Sequence, residues 1–437
     1  MSESFKIRSQ MATSKEAPGK VWFWELAAAV IDTGRCIRCG ACAAACPSDS
    51  IGIGPRGLPA LVKMCTGCSL CWDACPRGGL RYEATWLRPK EGDELAETPS
   101  PLPTEGLRLP LPKRRPSERP GAKQSLNAER PLSNEAETDL GAIRALYQAR
   151  WRKRTPGVQD GGVVSAILAA GLDRGELDGA LVATQGKERP WKPEARIAKT
   201  REELEAAAGS YYSQTMALAS LDLGRFGLEA GSRIAVVGTP CEIQGLASLQ
   251  ARRWSRGRSA VDSVVLKIAL LCTKSFDYEA LVLRELAERR GIAPQEIQKM
   301  DITKGRFLVW NKDGELVVDE PVRNFHNAAL AGCQECADFL GRASDIAVGS
   351  VGSPGGWSSL LVRTEVGAKA LAWASDELEL EPLEDPGALG RLDGSNRKAA
   401  LARLPRRLEP DGPLFIEFEE HMAAYGPTEM RPVIDWR

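Results

Sequence analysis

The run Cys36-x2-Cys39-x2-Cys42-x3-Cys46-Pro47, repeated as Cys65-x2-Cys68-x2-Cys71-x3-Cys75-Pro76, decides how the chain is read. In each run three cysteines follow one another at two-residue gaps, and a fourth stands before a proline. A cubane iron–sulfur core needs four thiolates at its corners, and one tight turn can wrap three of them around a single core. The fourth is thrown outward. Structural zinc instead takes pairs of cysteines separated by a longer loop. Disulfides need an oxidising compartment, whereas residues 1–20 mix Lys, Glu and Ser without the apolar stretch of an export signal. The duplicated spacing therefore points to iron–sulfur.

This spacing is that of a bacterial-type ferredoxin with two 4Fe–4S clusters, a pattern in which the fourth cysteine ligates the other cluster. Cys36, Cys39, Cys42 and Cys75 are thus expected on one cluster, and Cys65, Cys68, Cys71 and Cys46 on the second. A ferredoxin only carries electrons, so the remainder of the chain must supply the chemistry or a docking surface.

The chain has 437 residues, room for two or three domains, and equal numbers of basic and acidic residues, 58 each. That balance gives no field to attract nucleic acid or an anionic membrane. Two histidines, His326 and His421, are too few and too far apart for a histidine metal site or a Ser-His-Asp triad. No apolar run approaches the roughly 18 residues that span a bilayer. Val21 to Ile31, interrupted by Glu25, reads as an amphipathic lead-in helix. The cysteines then belong in a reducing cytosol as metal ligands.

Four segments are expected: a lead-in at 1–31, a two-cluster ferredoxin domain at 32–86, a Pro-rich linker or strap at 87–137 and a globular domain at 138–437. Ile51–Ile53 and Leu80–Tyr82 can make small edge strands of the ferredoxin. Nine prolines interleave with Glu, Arg and Ser between 87 and 135, which forbids a regular helix or central strand. The two flanking units are therefore expected to fold independently.

Beyond residue 138 strands and helices alternate. Ala142–Arg152 reads as a helix, and Asp160-Gly161-Gly162 opens a second helix at Val163–Leu172. Ala180–Ala183 reads as a strand. Thr200 is a candidate N-cap for Arg201–Ala208, with Glu203 placed for a capping box. Arg233–Gly238 and Val264–Leu271 read as buried strands ending near Cys241 and Cys272, followed by helices at Glu242–Ala251 and Tyr278–Arg290. A hairpin is expected around Asn311–Gly314, and a strand over Trp357–Thr364. The fold class is thus α/β (α+β): a bacterial-type ferredoxin domain followed by a mixed or mostly parallel sheet. In such sheets working residues gather at the carboxyl ends of strands.

Eight cysteines are consumed by the ferredoxin, and Cys241, Cys272, Cys333 and Cys336 remain. A Cys-x2-Cys pair with two single cysteines fits a third 4Fe–4S cluster, and fits zinc nearly as well.

Residues 138 to about 400 resemble the family formed by the β subunits of coenzyme F420-reducing hydrogenase and F420H2 dehydrogenase. The resemblance is carried by Gly161-Gly162-Val163-Val164-Ser165-Ala166, Leu177-Asp178-Gly179-Ala180, Thr200-Arg201-Glu202-Glu203-Leu204 and Gly209-Ser210-Tyr211-Tyr212-Ser213. It continues through Gly238-Thr239-Pro240-Cys241-Glu242 and Leu271-Cys272-Thr273-Lys274-Ser275-Phe276. Cys333-x2-Cys336-Ala337-Asp338-Phe339, Ser344–Gly349 and Trp357–Thr364 complete it.

The resemblance implies FAD, a cluster on Cys241, Cys272, Cys333 and Cys336, and hydride exchange with the deazaflavin coenzyme F420. A hydride carries two electrons and a cluster takes one, so a flavin is the natural converter. Candidate cofactor contacts are Gly161, Gly162 and Ser165 at a helix start, Ser210, Tyr212, Ser213, Lys274 and Gly352. For Gly161, Gly162 and Gly352 the alternative is a simple turn; for Tyr212 and Ser213 it is packing, for Lys274 a surface charge. Trp357 reads as core rather than as a stacking platform.

The expected protein is an F420-dependent oxidoreductase subunit with three 4Fe–4S clusters and FAD. Its electrons pass to a redox partner protein or a membrane-associated respiratory complex, in the cytoplasm or at the cytoplasmic face of a membrane. The alternatives are a ferredoxin-dependent reductase of the divinyl chlorophyllide or hydroxymethyl chlorophyll type, and a non-catalytic electron-transfer adaptor of a hydrogenase or formate dehydrogenase complex.

Overall fold

The computed structural model describes residues 22–77, apart from 33, 55–56 and 69, and residues 140–403, apart from 154–157 and 251–260. The Pro-rich stretch at 87–137 and the strand expected at Leu80–Tyr82 lie outside the described residues.

The lead-in is helical as expected, α1 (Phe23–Leu26) running into a π-helical turn, Ala27–Ile31. Phe23, Leu26, Ala27 and Val30 pack with Trp72 over Cys42, Cys46, Cys71 and Cys75, so this segment roofs the cysteine runs. Beneath it lie the short helices α2 (Ala41–Ala44) and α3 (Leu70–Ala74). Strand β1 (Ile51–Ile53) pairs antiparallel with β2 (Pro59–Leu61).

The large domain is built on an eight-stranded mixed sheet. Its parallel centre comprises β4 (Gly179–Gln185), β6 (Ile234–Gly238), β7 (Val264–Leu270) and β11 (Ile346–Gly349). On one side β5 (Pro193–Ala198) is added antiparallel to β4. On the other, β12 (Ser358–Val362), β3 (Ala145–Trp151) and β13 (Leu378–Pro382) follow antiparallel.

Side chains alternate between two cores, as the two-residue period of a strand requires. Ala235, Leu266, Ile268 and Val348 face the helix α4 (Val163–Asp173) and the helix Glu365–Trp373. Ile234, Val236, Ala269 and Ala347 face the opposite layer.

Ala145–Trp151 is the one clear reversal of helix and strand. Ala142, Ala145, Leu146 and Ala149 satisfy a helical period, but Tyr147, Ala149 and Trp151 also alternate and are buried on one face. Ladders from both β12 and β13 satisfy the backbone of this segment, and that tertiary pairing overrides the local pattern.

Between β7 and β11 a smaller unit is inserted. Strands β8 (Ile297–Thr303), β9 (Arg306–Asn311) and β10 (Leu316–Pro321) form an antiparallel sheet containing the expected hairpin. Phe276, Leu281, Phe307 and Phe325 close its own core, with Leu281 supplied by a π-helix at Glu279–Glu288.

The expected independence of the two units is corrected by their packing. Ile37, Cys39, Ala41, Ala44, Leu70 and Ala74 share one core cluster with Leu218, Ile243, Leu246 and Phe339. The approach is close: a β-carbon on Gly332 would stand 2.0 Å from the Arg35 carbonyl oxygen, and one on Gly245 would stand 2.9 Å from the Ala41 β-carbon. Arg35 and Glu335, 3% and 8% exposed, form a buried fork across the junction, with contacts of 2.8 and 2.7 Å. Arg38 reaches Asp277 at 2.6 Å. The ferredoxin unit covers the sheet layer and shares its core.

Candidate functional site: a chain of cysteine sets at the carboxyl edge

Cys241 and Cys272 follow the adjacent parallel strands β6 and β7, at the carboxyl edge of the sheet. Their placement has a local cause. Thr239-Pro240-Cys241-Glu242 makes the carboxylate half of a capping box, with proline inside the first turn of the helix Pro240–Gln250. Thr239 N donates to Glu242 Oε2 at 2.8 Å, and Thr239 Oγ1 lies 3.1 Å from Cys241 Sγ. Burial raises the Glu242 carboxyl to about 7, against the hydrogen bonds from Thr239. In the sequence, Thr-x-x-Glu marks Glu242 only as a capping residue and does not announce its place beside Cys241.

Cys333 and Cys336 come from the 3-10 segment Ala331–Glu335 and the residue after it. Burial raises the Cys272 thiol, and Cys333 and Cys336 raise it further. Cys333 is raised to about 11 by burial, opposed by a hydrogen bond from the Ser275 amide and reinforced by Cys336. Cys241 is raised by burial first and by Cys336 next. The four cysteines that the ferredoxin leaves over therefore lie in one group.

The ferredoxin cysteines group in the crossed manner. Cys36, Cys39, Cys42 and Cys75 line one cavity, closed by Leu26, Val30, Ile31, Ile37, Pro59 and Arg77. Burial lifts Cys36 to about 12, with Cys75 adding to it. Cys71 is raised by burial and then by Cys65, Cys46 and Cys68. Bare thiolates would be costly in such surroundings, whereas an iron-bearing core that binds them supplies the missing positive charge. Among the described residues no three Cys, His, Asp or Glu side chains converge as ligands of a single metal ion. Sets made of four thiolates are the donors that a 4Fe–4S core takes. The donor sets fit clusters.

The sets also stand in sequence. Cys241 feels Cys39, Cys39 feels Cys75, and Cys42 feels Cys71. The C-terminal set therefore abuts Cys36/39/42/75, which in turn abuts Cys46/65/68/71.

The candidate cofactor contacts lie at the same carboxyl edge, with distinct local roles. Gly161 N donates to Ser358 Oγ at 3.0 Å, and a β-carbon there would meet the Ala149 carbonyl oxygen at 2.2 Å. Gly162 caps α4 with φ +67°, and its amide donates to the Gln159 carbonyl. Both glycines thus have structural duties. The first intrahelical bond, Ala166 N to Gly162 O, leaves Val163, Val164 and half-buried Ser165 as the first-turn amides.

Gly352, at φ +88°, lies against the Asp385 carbonyl, and the Gly352 carbonyl accepts from Asp385 N at 2.9 Å. Arg150 stacks its guanidinium 4.5 Å from the Trp357 ring centroid.

Tyr212 is held by packing: its hydroxyl accepts from Ile302 N at 2.9 Å and its ring meets Phe307 edge-on. Ser213 bridges to Phe276, and Ser210 is half-buried beside them in the chain. Gln214, which sequence reasoning missed, donates to Thr239 Oγ1 at 3.1 Å and Ser275 Oγ at 2.8 Å, joining this segment to the Cys241 and Cys272 loops. Lys274 is half-buried, close enough that its charge acts on Cys333 and His326.

An α/β sheet with cysteine groups at its carboxyl edge, roofed by a ferredoxin, defines an iron–sulfur electron-transfer protein of the oxidoreductase class. Residues 29–81 match the 4Fe–4S dicluster domain. Residues 146–222 and 231–386 match, respectively, the N-terminal and C-terminal families described as coenzyme F420 hydrogenase/dehydrogenase, beta subunit.

The chain is 35% identical over 250 residues to an F(420)H(2) dehydrogenase subunit of Methanosarcina mazei, covering 57% of this chain and 68% of that one. It is 33% identical over 280 residues to the coenzyme F420 hydrogenase subunit beta of Methanothermobacter thermautotrophicus, covering 62% and 97%. A chain of the F420-reducing [NiFe] hydrogenase complex from Methanosarcina barkeri superposes with TM-score 0.55 at 29% identity, over 60% of this chain and 92% of that one. The protein belongs to the family of coenzyme F420 hydrogenase/dehydrogenase beta subunits. Among its described residues no helix is long and apolar enough to cross a membrane.

Proposed function

We propose that the chain exchanges a hydride between reduced coenzyme F420 and FAD, and passes single electrons through three 4Fe–4S clusters to an acceptor protein or complex. The observation that carries this reading is the succession of three cysteine groups from the sheet edge to the ferredoxin. Cys241, Cys272, Cys333 and Cys336 would hold the first cluster, Cys36, Cys39, Cys42 and Cys75 the next, and Cys46, Cys65, Cys68 and Cys71 the last. FAD bound at the carboxyl edge would take up electrons as a pair and release them singly.

The chain's own contribution is to hold and shield. The first turn of α4, which has no side-chain cap, offers amides and a helix dipole to a pyrophosphate. Ser210–Gln214 and the turn around Gly352 frame the same edge, and Lys274 places a positive charge beside the Cys333 loop for an anionic coenzyme. The family resemblance supports FAD and the deazaflavin as the two partners in hydride exchange.

Metal and flavin content test the reading. After anaerobic reconstitution the protein should carry about twelve iron atoms and one FAD, since twelve cysteines divide into three complete sets. About eight iron atoms with one zinc would make the C-terminal set structural. Full iron without flavin would favour the adaptor reading.

A further inference from the structure

We propose that Arg77 is a shared positioning residue of the two neighbouring clusters: its permanently charged guanidinium stands between the Cys36/39/42/75 and Cys241/272/333/336 sets and favours the reduced state of both. This rests on the three-cluster reading above.

Arg77 is 5% exposed and is the residue that follows Cys75-Pro76. Its Nη1 donates to the Pro76 carbonyl at 3.0 Å, and its Nε donates to the Gly332 carbonyl at 2.9 Å, one residue before Cys333. One side chain thus staples a ligand loop of the ferredoxin to a ligand loop of the large domain. The same side chain lines the cavity formed by Cys36, Cys39, Cys42 and Cys75.

Its third nitrogen, Nη2, is buried without a hydrogen-bond partner among the described residues. An orphaned buried donor is destabilising, so a group that accepts from it is called for. Thiolate and sulfide sulfurs of a cluster are such acceptors. Burial opposes the Arg77 charge, and Cys336, Glu335, Cys241 and Cys333 lie close enough to act on it in the opposite sense. The Glu335 carboxylate is itself forked onto Arg35.

A 4Fe–4S core with four thiolates gains one negative charge on reduction. A fixed positive charge and an N–H donor to sulfur both stabilise that state and raise the potential. In the transfer itself one electron leaves the C-terminal cluster, oxidising its core from 1+ to 2+, and enters the neighbouring cluster, reducing its core from 2+ to 1+. No proton moves, and Arg77 keeps its charge throughout. Because it lines the cavity of one set and bonds the ligand loop of the other, it raises both potentials and leaves the driving force between them little changed. Nothing in the lone Cys-Pro-Arg of the sequence announces this.

The test is an EPR-monitored potentiometric titration of the holoprotein and of Arg77→Gln and Arg77→Lys. Iron content is measured first: parent protein short of three clusters refutes the underlying reading, not this inference. With three clusters present, Arg77→Gln should lower the reduction equilibrium of two clusters tenfold or more, about 59 mV per tenfold for one electron. The Cys46/65/68/71 cluster should stay near its parent value, and Arg77→Lys should restore most of the shift. Unchanged midpoints in Arg77→Gln overturn the proposal. Should that variant fail to assemble, parent protein grown with 15N-arginine should show nitrogen coupling to a reduced cluster that Arg77→Lys removes. No coupling, or coupling that persists in Arg77→Lys, also overturns it.

Discussion

At the scale of single residues, the structure separates cysteines that differ little in sequence context. Cys272 stands next to Cys333 and Cys336 at the end of β7, whereas Cys241 also faces Cys39. Cys241 therefore marks the side of the group that meets the ferredoxin, and its neighbours along the sheet edge include Cys272. Replacing Cys272 by serine is expected to leave flavin reduction by F420H2 intact while slowing bleaching of the ferredoxin clusters at least tenfold in stopped-flow absorbance. Bleaching at the parent rate would remove the C-terminal set from the path. The cysteines were legible because a cluster demands one residue type at fixed spacing. Arg77, Glu335 and Gln214 were not, because their roles depend on which loops the fold brings together.

At the scale of elements, local chemistry was often sufficient. Thr200 accepts from the Glu203 amide at 3.2 Å and starts the helix Arg201–Ala206, as its cap signature predicts. The Glu203 carboxylate reaches back one residue further than expected, to Lys199 N at 2.7 Å. Thr200→Ala should cost this helix about 1 kcal/mol, seen as roughly fivefold faster exchange of its first-turn amides. Exchange unchanged within twofold would show that the helix is held by Leu204 packing alone. Ala145–Trp151 shows the limit of such signals, since its apolar spacing suits a helix as well as a strand and only two flanking strands decide it. The paired glycines at 161 and 162 are similar: the helix start was readable, but their close contacts with Ala149, Val158 and Ser358 were not.

At the scale of the whole molecule, the shared core changes what truncation should do. A Pro-rich joint suggests two separable units, but removal of residues 1–130 would uncover Leu218, Ile243, Leu246 and Phe339 and leave Glu335 without Arg35. Breaking a buried ion pair by removing one partner costs about 3–5 kcal/mol, and exposed core adds to that. The truncated protein is expected to aggregate or to bind a hydrophobic dye strongly in anaerobic buffer. A soluble, dye-silent flavoprotein would show that the large domain closes its core alone. The intimate docking suits electron transfer, because it fixes adjacent cysteine sets in contact with common side chains rather than at the ends of a mobile tether.

Electrons are proposed to enter at the sheet edge and leave through the ferredoxin. Anaerobic titration of the reconstituted protein with F420H2, followed by visible absorbance and EPR, tests this path most directly. Flavin bleaching should be followed by cluster bleaching within the same chain, with reduced-cluster signals appearing at substoichiometric coenzyme. A fully loaded protein whose flavin and clusters remain oxidised in excess F420H2 would overturn the proposed path.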